Sequence, residues 1–286
     1  MKQFCTIILL FASYFLLCST FEDPYRPSSN IDWDGMDTLD VAYLRVGYEM
    51  SFPSSAGKDS NYVDMRIVEI GHNCRKDYSS YIEKMELEGR KLADEGKNFV
   101  DFLEGNVNPF ELFVFAGQDR CRFNYKTIVL GPILQWEEKQ TVFDWTLTND
   151  ADTVCGFPCH TAETDFAGRS YRAWYCPEIP VDAGPYKFDG LPGLILKIED
   201  CSGSYVWEAV GIEKGTWPIY EKRYLFQKCS RKQARQYIKL MFDNPYMYLT
   251  SRGIRVTQAD VHTRRMRELT EEEKSESFYF DPIELE

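Results

Sequence analysis

The chain has 286 residues, of which 15% are aromatic, and it carries a formal net charge of −12. A chain of this length suits one large domain or two small ones, and the aromatic surplus favours half-buried β-strands over disorder or a coiled coil. The acidic balance argues against a general affinity for nucleic acid or anionic lipid, since those ligands need a basic surface.

The first 20 residues are typical of a secretory signal peptide. Lys2 is followed by an almost uninterrupted apolar run from Cys5 to Cys18 and then by the polar residues 19–20. The run is too short for a transmembrane helix, which needs about 20 residues, and a lipid anchor at Cys18 is disfavoured because the large Leu17 precedes it. We therefore expect a cleaved signal peptide and an exported chain without a transmembrane segment, located in the periplasm or at the outer membrane.

The next segments predict a leader, two strands and a helix. Residues 21–37 contain prolines and serines and predict a short extended leader, so a single domain would span residues 38–286. Residues 38–52 are rich in valine, tyrosine, leucine and phenylalanine, residues 61–70 are a second such segment, and together they predict antiparallel strands. Residues 78–104 place glutamate, lysine and leucine at helical spacing and predict a mid-chain helix.

A series of short strand-like segments follows, separated by glycine, proline, aspartate or serine. Such short connections predict a meander of neighbouring antiparallel strands. A sheet of eight or more such strands can curl into an open barrel. The predicted strands are residues 111–116, 121–130, 140–148, 153–165, 169–176, 193–200, 204–213 and 222–228.

The last part of the chain has helical periodicity. Residues 231–242 carry apolar side chains on one helix face, with Ser230 as the N-cap and residues 244–245 as the stop. The charged residues 257–268 extend this helical segment, which we expect over about residues 230–270. The fold class is therefore mostly β (α+β): an antiparallel meander sheet, able to curl into an open barrel, with a mid-chain helix and C-terminal helices.

One predicted hairpin has a register that can be stated. If its loop is centred on residues 167–168, opposed residues lie equally far from that centre, so Glu163 meets Arg172 and Cys159 meets Cys176. Directly opposed Cα atoms are about 4.5–5.5 Å apart, which a disulfide can bridge. We therefore expect a Cys159–Cys176 disulfide, whereas a one-residue bulge or a three-residue loop would separate the two sulfurs.

The other cysteines have no partner that the sequence assigns. Two of the nine cysteines lie in the signal segment, and seven thiols in an oxidising compartment favour disulfides with one thiol left over. A metal site at Cys155, Cys159 and His160 is the alternative, but residues 159 and 160 would point to opposite faces of a strand. We expect no metal and no cofactor. The unassigned cysteines are Cys74, Cys121, Cys155, Cys201 and Cys229.

Residues 177–200 combine four prolines and three glycines with an apolar run. Proline fixes φ and glycine permits positive φ, so the block predicts a shaped loop that leads into a buried strand, with residues 192–193 in a type II turn. Such a loop is either a structural corner with packed aromatics or an ordered binding surface. The candidate binding loop consists of Gly184, Pro185, Tyr186, Lys187, Phe188, Gly190, Leu191, Pro192 and Gly193.

At this block the sequence resembles the GLPGLI family, whose hexapeptide stands at residues 190–195. Residues 144–147 and 281–286 also resemble segments of that family. The resemblance implies an exported envelope protein of Gram-negative bacteria that has no established biochemical activity, so it supplies no catalytic residues. Cys176 and Asp189 depart from the family pattern, which makes a disulfide at Cys176 a local addition.

Familiar catalytic motifs are absent from the sequence. None of the three histidines lies in a metalloprotease motif, and there is no nucleophile elbow or phosphate-binding loop. Glu178 and Asp189, with Arg169 and Lys187 nearby, are the candidates for acid–base chemistry in a hydrolase, the least favoured class.

The sequence favours a non-catalytic binding or interaction protein of the periplasm, with an envelope or outer-membrane protein as its partner. The alternative is a carrier of an apolar ligand or lipid. Such a carrier would hold its ligand in a half-barrel pocket lined by the surplus aromatic side chains.

Overall fold

The computed structural model describes residues 6–11, 15–20, 31–54, 57–96, 107–127, 131–251, 253, 255–259 and 266–286. In chain order the elements are β1 (Thr6–Phe11), β2 (Phe15–Thr20), β3 (Ile31–Ser54), β4 (Gly57–Gly71), β5 (Cys74–Ser79), α1 (Ser80–Asp94), β6 (Phe110–Phe115), β7 (Arg120–Lys126), β8 (Ile133–Glu138), β9 (Thr146–Val154), β10 (Phe157–Phe166), β11 (Arg169–Cys176), β12 (Leu194–Asp200), β13 (Val206–Tyr224), β14 (Phe226–Lys228), α2 (Arg231–Asp243), α3 (Pro245–Thr250), β15 (Arg255–Ala259), β16 (Met266–Glu268) and α4 (Glu271–Ser275).

Twelve strands form one sheet in the order β14-β8-β7-β6-β5-β4-β3-β13-β12-β11-β10-β9. Most neighbours in the chain are also neighbours in the sheet, and the pairings are antiparallel except for the parallel pair β14–β8. The predicted fold class, a mostly β protein built on an antiparallel meander, is therefore confirmed. The sheet has two edges, β14 and β9, so it is not closed.

The large sheet is strongly curled. Neighbouring strands lie about 4.8 Å apart, so β7 and β11, seven strand spacings apart in this order, would be about 34 Å apart in a flat sheet. Yet the ring of Tyr186 lies 5.8 Å from that of Phe123 on β7, and the ring of Phe188 lies 4.8 Å from that of Tyr171 on β11. The sheet therefore curves around residues 177–193, and we call the side that faces them the concave face.

The opposite, convex face of β5–β8 is covered by α1 and by the last part of β13. This contact is polar: Glu221 on β13 pairs with Arg122 at 2.6 Å and accepts a hydrogen bond from Asn124 at 3.0 Å. Lys222 on the same strand pairs with Glu83 on α1. Both faces of the sheet are thus buried here, which explains why charged side chains alternate with apolar ones along β7.

The helices near the end of the chain begin as their sequence indicates. Ser230 caps α2 in a capping box with Gln233, and Asn244 ends α2 and caps α3, which has Pro245 at its first turn. The helical expectation is wrong for residues 257–259 and 266–268, because β15 pairs with β2 and with β16 in a four-stranded sheet, β1-β2-β15-β16, while residues 260–265 lie outside the described residues.

The predicted leader and signal peptide are only partly described. Residues 21–30 of the leader lie outside the described residues, while residues 31–37 pair with β13 as the start of β3. Strands β1 and β2 lie within the predicted signal peptide, whose cleavage stays a prediction. Of the helices that the structure describes, none is long and apolar enough to cross a membrane.

Candidate functional site

The candidate binding loop is turned inward and lies against the concave face. Ala183, Tyr186, Phe188 and Leu191 are buried, and Phe188 has no exposed surface. The ring of Tyr186 packs at 5.5 Å from that of Phe110 on β6. Most of the loop is therefore part of the core, which matches the structural-corner interpretation.

A buried ion-pair network fixes the position of Tyr186. This residue has a φ of +54°, which a bulky side chain adopts only when its surroundings hold it there. Its backbone N–H donates to the Asp77 carboxylate at 2.7 Å. Asp77 in turn accepts from the fully buried Arg66, which also pairs with Asp64. The network thus places the loop in one orientation at the centre of the sheet.

Two glycines of the hexapeptide have distinct roles. A Cβ at Gly193 would lie 2.3 Å from the carbonyl oxygen of Cys176, so no larger residue fits there. Gly190 has a φ of +87°. The expected type II turn at residues 192–193 is wrong: Gly193 lacks the positive φ that such a turn requires and donates to the Leu191 carbonyl at 2.8 Å. The glycine is needed for close packing instead.

Asp189 lies between Phe188 and Gly190 of the candidate binding loop and is held by three groups. Gln140 donates to its carboxylate at 3.0 Å, Arg75 pairs with it at 3.4 Å, and Trp145 donates to its backbone carbonyl at 2.8 Å. Burial raises the pKa of Asp189 above its usual value, although Arg75 opposes this shift. Glu178, the other predicted acid–base candidate, is exposed. The two carboxyl groups therefore have very different surroundings.

Lys187 is the centre of a second ion-pair cluster. Its ammonium group lies 2.5 Å from the Glu284 carboxylate and 2.7 Å from that of Glu138 at the end of β8. Glu284 also accepts a hydrogen bond from the Tyr186 hydroxyl at 2.5 Å and pairs with Arg231 on α2. Burial opposes ionisation of Glu284, but these partners outweigh it and hold the pKa of Glu284 below its usual value.

Arg169 binds the same final segment of the chain from the other side. Its guanidinium pairs with Asp200 at 2.7 Å and with Asp281 at 2.5 Å. It also donates to the backbone carbonyls of Pro282, at 2.8 Å, and Ile283, at 3.1 Å. Sequence reasoning missed Glu284 and Asp281, because no local pattern links residues 281–286 to a loop a hundred positions earlier.

The predicted hairpin register is confirmed from residue 160 to residue 175. Glu163 lies opposite Arg172, and their side chains pair at 2.6 Å. The ladder ends at this pair, so Cys159 and Cys176, the next residues of the two strands, are not paired with each other. Both thiols are buried and free in the structure. Burial and the neighbouring Cys176 raise the pKa of the Cys159 thiol to about 11.

Five further cysteines are also free thiols. Within the described parts of the chain, no group of three histidine, cysteine or carboxylate side chains is arranged to hold a metal ion. These free cysteines are Cys74, Cys121, Cys155, Cys201 and Cys229.

A small cavity lies on the convex side, between α1 and β7. It has room for about one water molecule and is lined by Lys126, Glu83 and Glu111 among others. Burial and the nearby Lys222 ammonium lower the pKa of Lys126 to about 7, while the Glu83 carboxylate opposes this shift. The space is too small for an organic substrate.

Comparisons with known proteins identify one segment of the chain. Residues 138–197 match the family described as "Protein of unknown function (Porph_ging)". The matched segment contains β9, β10, β11, the candidate binding loop and the start of β12. It therefore builds one edge of the sheet together with the loop that fills the concave face. No curated protein matches the chain.

Two solved structures of PNGF-II match part of the chain. The structure in space group C2 has 14% sequence identity and a TM-score of 0.48, and it covers 70% of this chain and 33% of the PNGF-II chain. The structure in space group P21 has 13% identity and a TM-score of 0.43, with coverage of 69% and 33%. The chain thus spans about a third of the length of PNGF-II.

Proposed function

We propose that this chain is an exported envelope protein of the GLPGLI family that binds a partner protein and does not catalyse a reaction. The observation that supports this best is the occupied concave face. Residues 177–193 fill it from one side, and the tail segment, residues 278–286, adjoins them through Glu284. Of the side chains with acid–base potential, Asp189 and Lys187 are engaged in ion pairs within the protein, whereas Glu178 is exposed.

The apolar-carrier alternative is less well supported. A carrier needs an accessible cavity lined by apolar side chains. Here the rings of Tyr186 and Phe188 occupy the concave face, at 6.2 Å and 6.1 Å from Trp207. An apolar ligand would have to displace them together with the ion pairs of Lys187.

The rim beside the loop offers an exposed surface for a partner. We define the rim as residues 139–154, which comprise the segment before β9 and β9 itself. Val142 is 92% exposed and Leu147 is 59% exposed, while Phe143 between them packs on Phe188 at 5.1 Å. Among the described strands, β9 has β10 as its neighbour and forms an edge of the sheet.

Photo-crosslinking in intact cells tests the proposed function. A crosslinking amino acid at Val142 should capture one protein of the cell envelope, and the same amino acid at Lys239, exposed on α2, should not. Capture of the same protein from both positions, or of none from Val142, would argue against a partner at the rim. Solvent extraction of purified protein, followed by mass spectrometry, should release no stoichiometric lipid, and a stoichiometric lipid would favour the carrier instead.

We also propose that Cys159 and Cys176 form a disulfide in the exported protein. These two cysteines are the next residues after the last pair of the hairpin ladder, residues 160 and 175, and an oxidising compartment would favour their oxidation to a disulfide. Non-reducing peptide mapping of protein isolated from the cell envelope should find the two peptides linked. Two free thiols in folded, exported protein would remove this disulfide from the account.

A further inference from the structure

The tail segment is held by cations, although the protein as a whole is acidic. Residues 276–286 form neither a helix nor a strand, yet Ile283 and Glu284 are buried. The segment lies between the turn that joins β10 to β11 and the helix α2, where the Leu285 N–H donates to the Ala167 carbonyl at 2.8 Å. It is therefore an extended segment seated in a groove.

Four cations from three parts of the fold line this groove. Arg169 binds the start of the segment, at Asp281. Lys187 binds its centre, at Glu284. Arg231 and Arg235 of α2 donate to the backbone carbonyl of Glu286, and Arg231 also pairs with Glu284. The groove thus binds carboxylates and backbone carbonyls along the whole length of an extended segment.

The groove needs an acidic occupant. With the segment in place, the side chains of Arg169 and Lys187 are only 7% and 5% exposed, so the carboxylates of the segment stand where water would otherwise solvate these cations. Asp200 and Glu138 would remain as their partners, but each cation would lose a second carboxylate. A cation that stays buried but loses a partner is strongly destabilising. A neutral occupant, which would cover these cations without supplying carboxylates, is therefore disfavoured.

We propose that this groove is a binding site for an extended acidic segment of a partner protein, which the chain's own residues 278–286 occupy in the free state. This deepens the proposed function, on which it rests, by stating the chemistry of the partner. The partner presents carboxylates at the positions of Asp281 and Glu284 and an apolar side chain at that of Ile283. A tethered segment competes at an effective concentration of roughly millimolar, so the partner must bind tightly enough to displace it.

Peptide binding tests the proposal. A chain that lacks residues 281–286 should bind a fluorescent peptide of residues 278–286 in an anisotropy titration, and the full chain should bind it at least tenfold more weakly. A peptide with the changes Asp281→Asn and Glu284→Gln should also bind at least tenfold more weakly, because the groove selects carboxylates. The change Lys239→Ala, on the same helix as Arg231 but directed to solvent, should leave binding unchanged.

The shortened chain must be shown to fold, so its circular dichroism is compared with that of the full chain. If it does not fold, a protease site inserted after Ser275 in the full chain replaces it: the cleaved segment should stay bound during gel filtration and leave when excess peptide is added. The proposal would be overturned if the shortened chain folds but does not bind the peptide. It would also be overturned if the cleaved segment dissociates without added peptide.

Two outcomes separate this proposal from the more general one. A crosslinked envelope partner at Val142 together with no peptide binding would leave the proposed function standing and remove the acidic-segment site. A full-length dimer that disappears when residues 281–286 are deleted would assign the groove to a second copy of the chain and overturn the assignment to a different protein.

Discussion

Of the residues in the candidate binding loop, Gly193 should tolerate substitution least. Because a Cβ there would meet the Cys176 carbonyl oxygen at 2.3 Å, the change Gly193→Ala should displace the loop from β11. We expect it to lower the free energy of unfolding by more than about 2 kcal/mol, as measured by urea denaturation.

Gly190 provides the matched control for that change. An added Cβ would lie 3.4 Å from Trp145, which is tight but adjustable, and the positive φ would cost about 1–2 kcal/mol. Gly190→Ala should therefore destabilise less than Gly193→Ala. Equal effects would show that close packing at Gly193 is not the reason for this glycine.

Glu284 should make stability depend on acid pH. Its pKa in the folded chain lies below the usual value of 4.5, so the ionised carboxylate stabilises the fold above that pH. The contribution is lost as the pH falls through the folded-state pKa. The change Glu284→Gln should lower the free energy of unfolding at pH 7 by about 1–3 kcal/mol, and the difference from the unaltered chain should shrink by pH 3.

The control for this titration is Glu272→Gln in α4, where the carboxylate is exposed. It should change stability little at either pH. Urea unfolding at several pH values measures both variants, and a constant difference for Glu284→Gln between pH 7 and pH 3 would contradict the assigned ion pairs.

At the scale of single elements, the β10–β11 hairpin was the most predictable part of the fold. Its turn residues Ala167 and Gly168 have φ values of +48° and +81°, as a two-residue type I′ turn requires. Alternating burial and the opposed charges of Glu163 and Arg172 then fix the register. All of this information is local in the sequence.

The same turn gives a stabilising substitution. Alanine at a positive φ is strained, so Ala167→Gly should raise the free energy of unfolding by about 0.5–1 kcal/mol. Ala151→Gly in the exposed strand β9 should lower it by about 0.5–1 kcal/mol instead. Thermal denaturation compares the two variants, and destabilisation by Ala167→Gly would show that the turn has another geometry.

Other elements could not be predicted because their polar residues find distant partners. Strand β5 was not among the predicted strands. Its charged residues Lys76 and Asp77 are buried: Lys76 donates to the Tyr220 carbonyl at 3.0 Å, and Asp77 pairs with Arg66. Strand β13 reads as two strands because bulges interrupt its pairing with β3. In both cases the stabilising contact comes from residues far away in the chain.

At the scale of the whole molecule, the sequence predicted an open, curled sheet but not what fills it. An exposed binding loop and a packed corner have the same proline and glycine pattern, and the choice between them depends on Arg66, Asp77 and Glu284. These residues stand at separations of about a hundred positions from the loop they fix. Part of the candidate site was therefore visible in the sequence, while its partners were not.

The central claim is that the candidate binding loop is built into the concave face. Hydrogen exchange followed by mass spectrometry tests it directly, because the amides of Tyr186, Leu194 and Ile195 donate to buried acceptors. Peptides that cover residues 183–195 should exchange as slowly as those from β11, and the turn at residues 201–204 should exchange fast. Fast exchange across residues 183–195 in the folded protein would show an exposed loop and contradict the account.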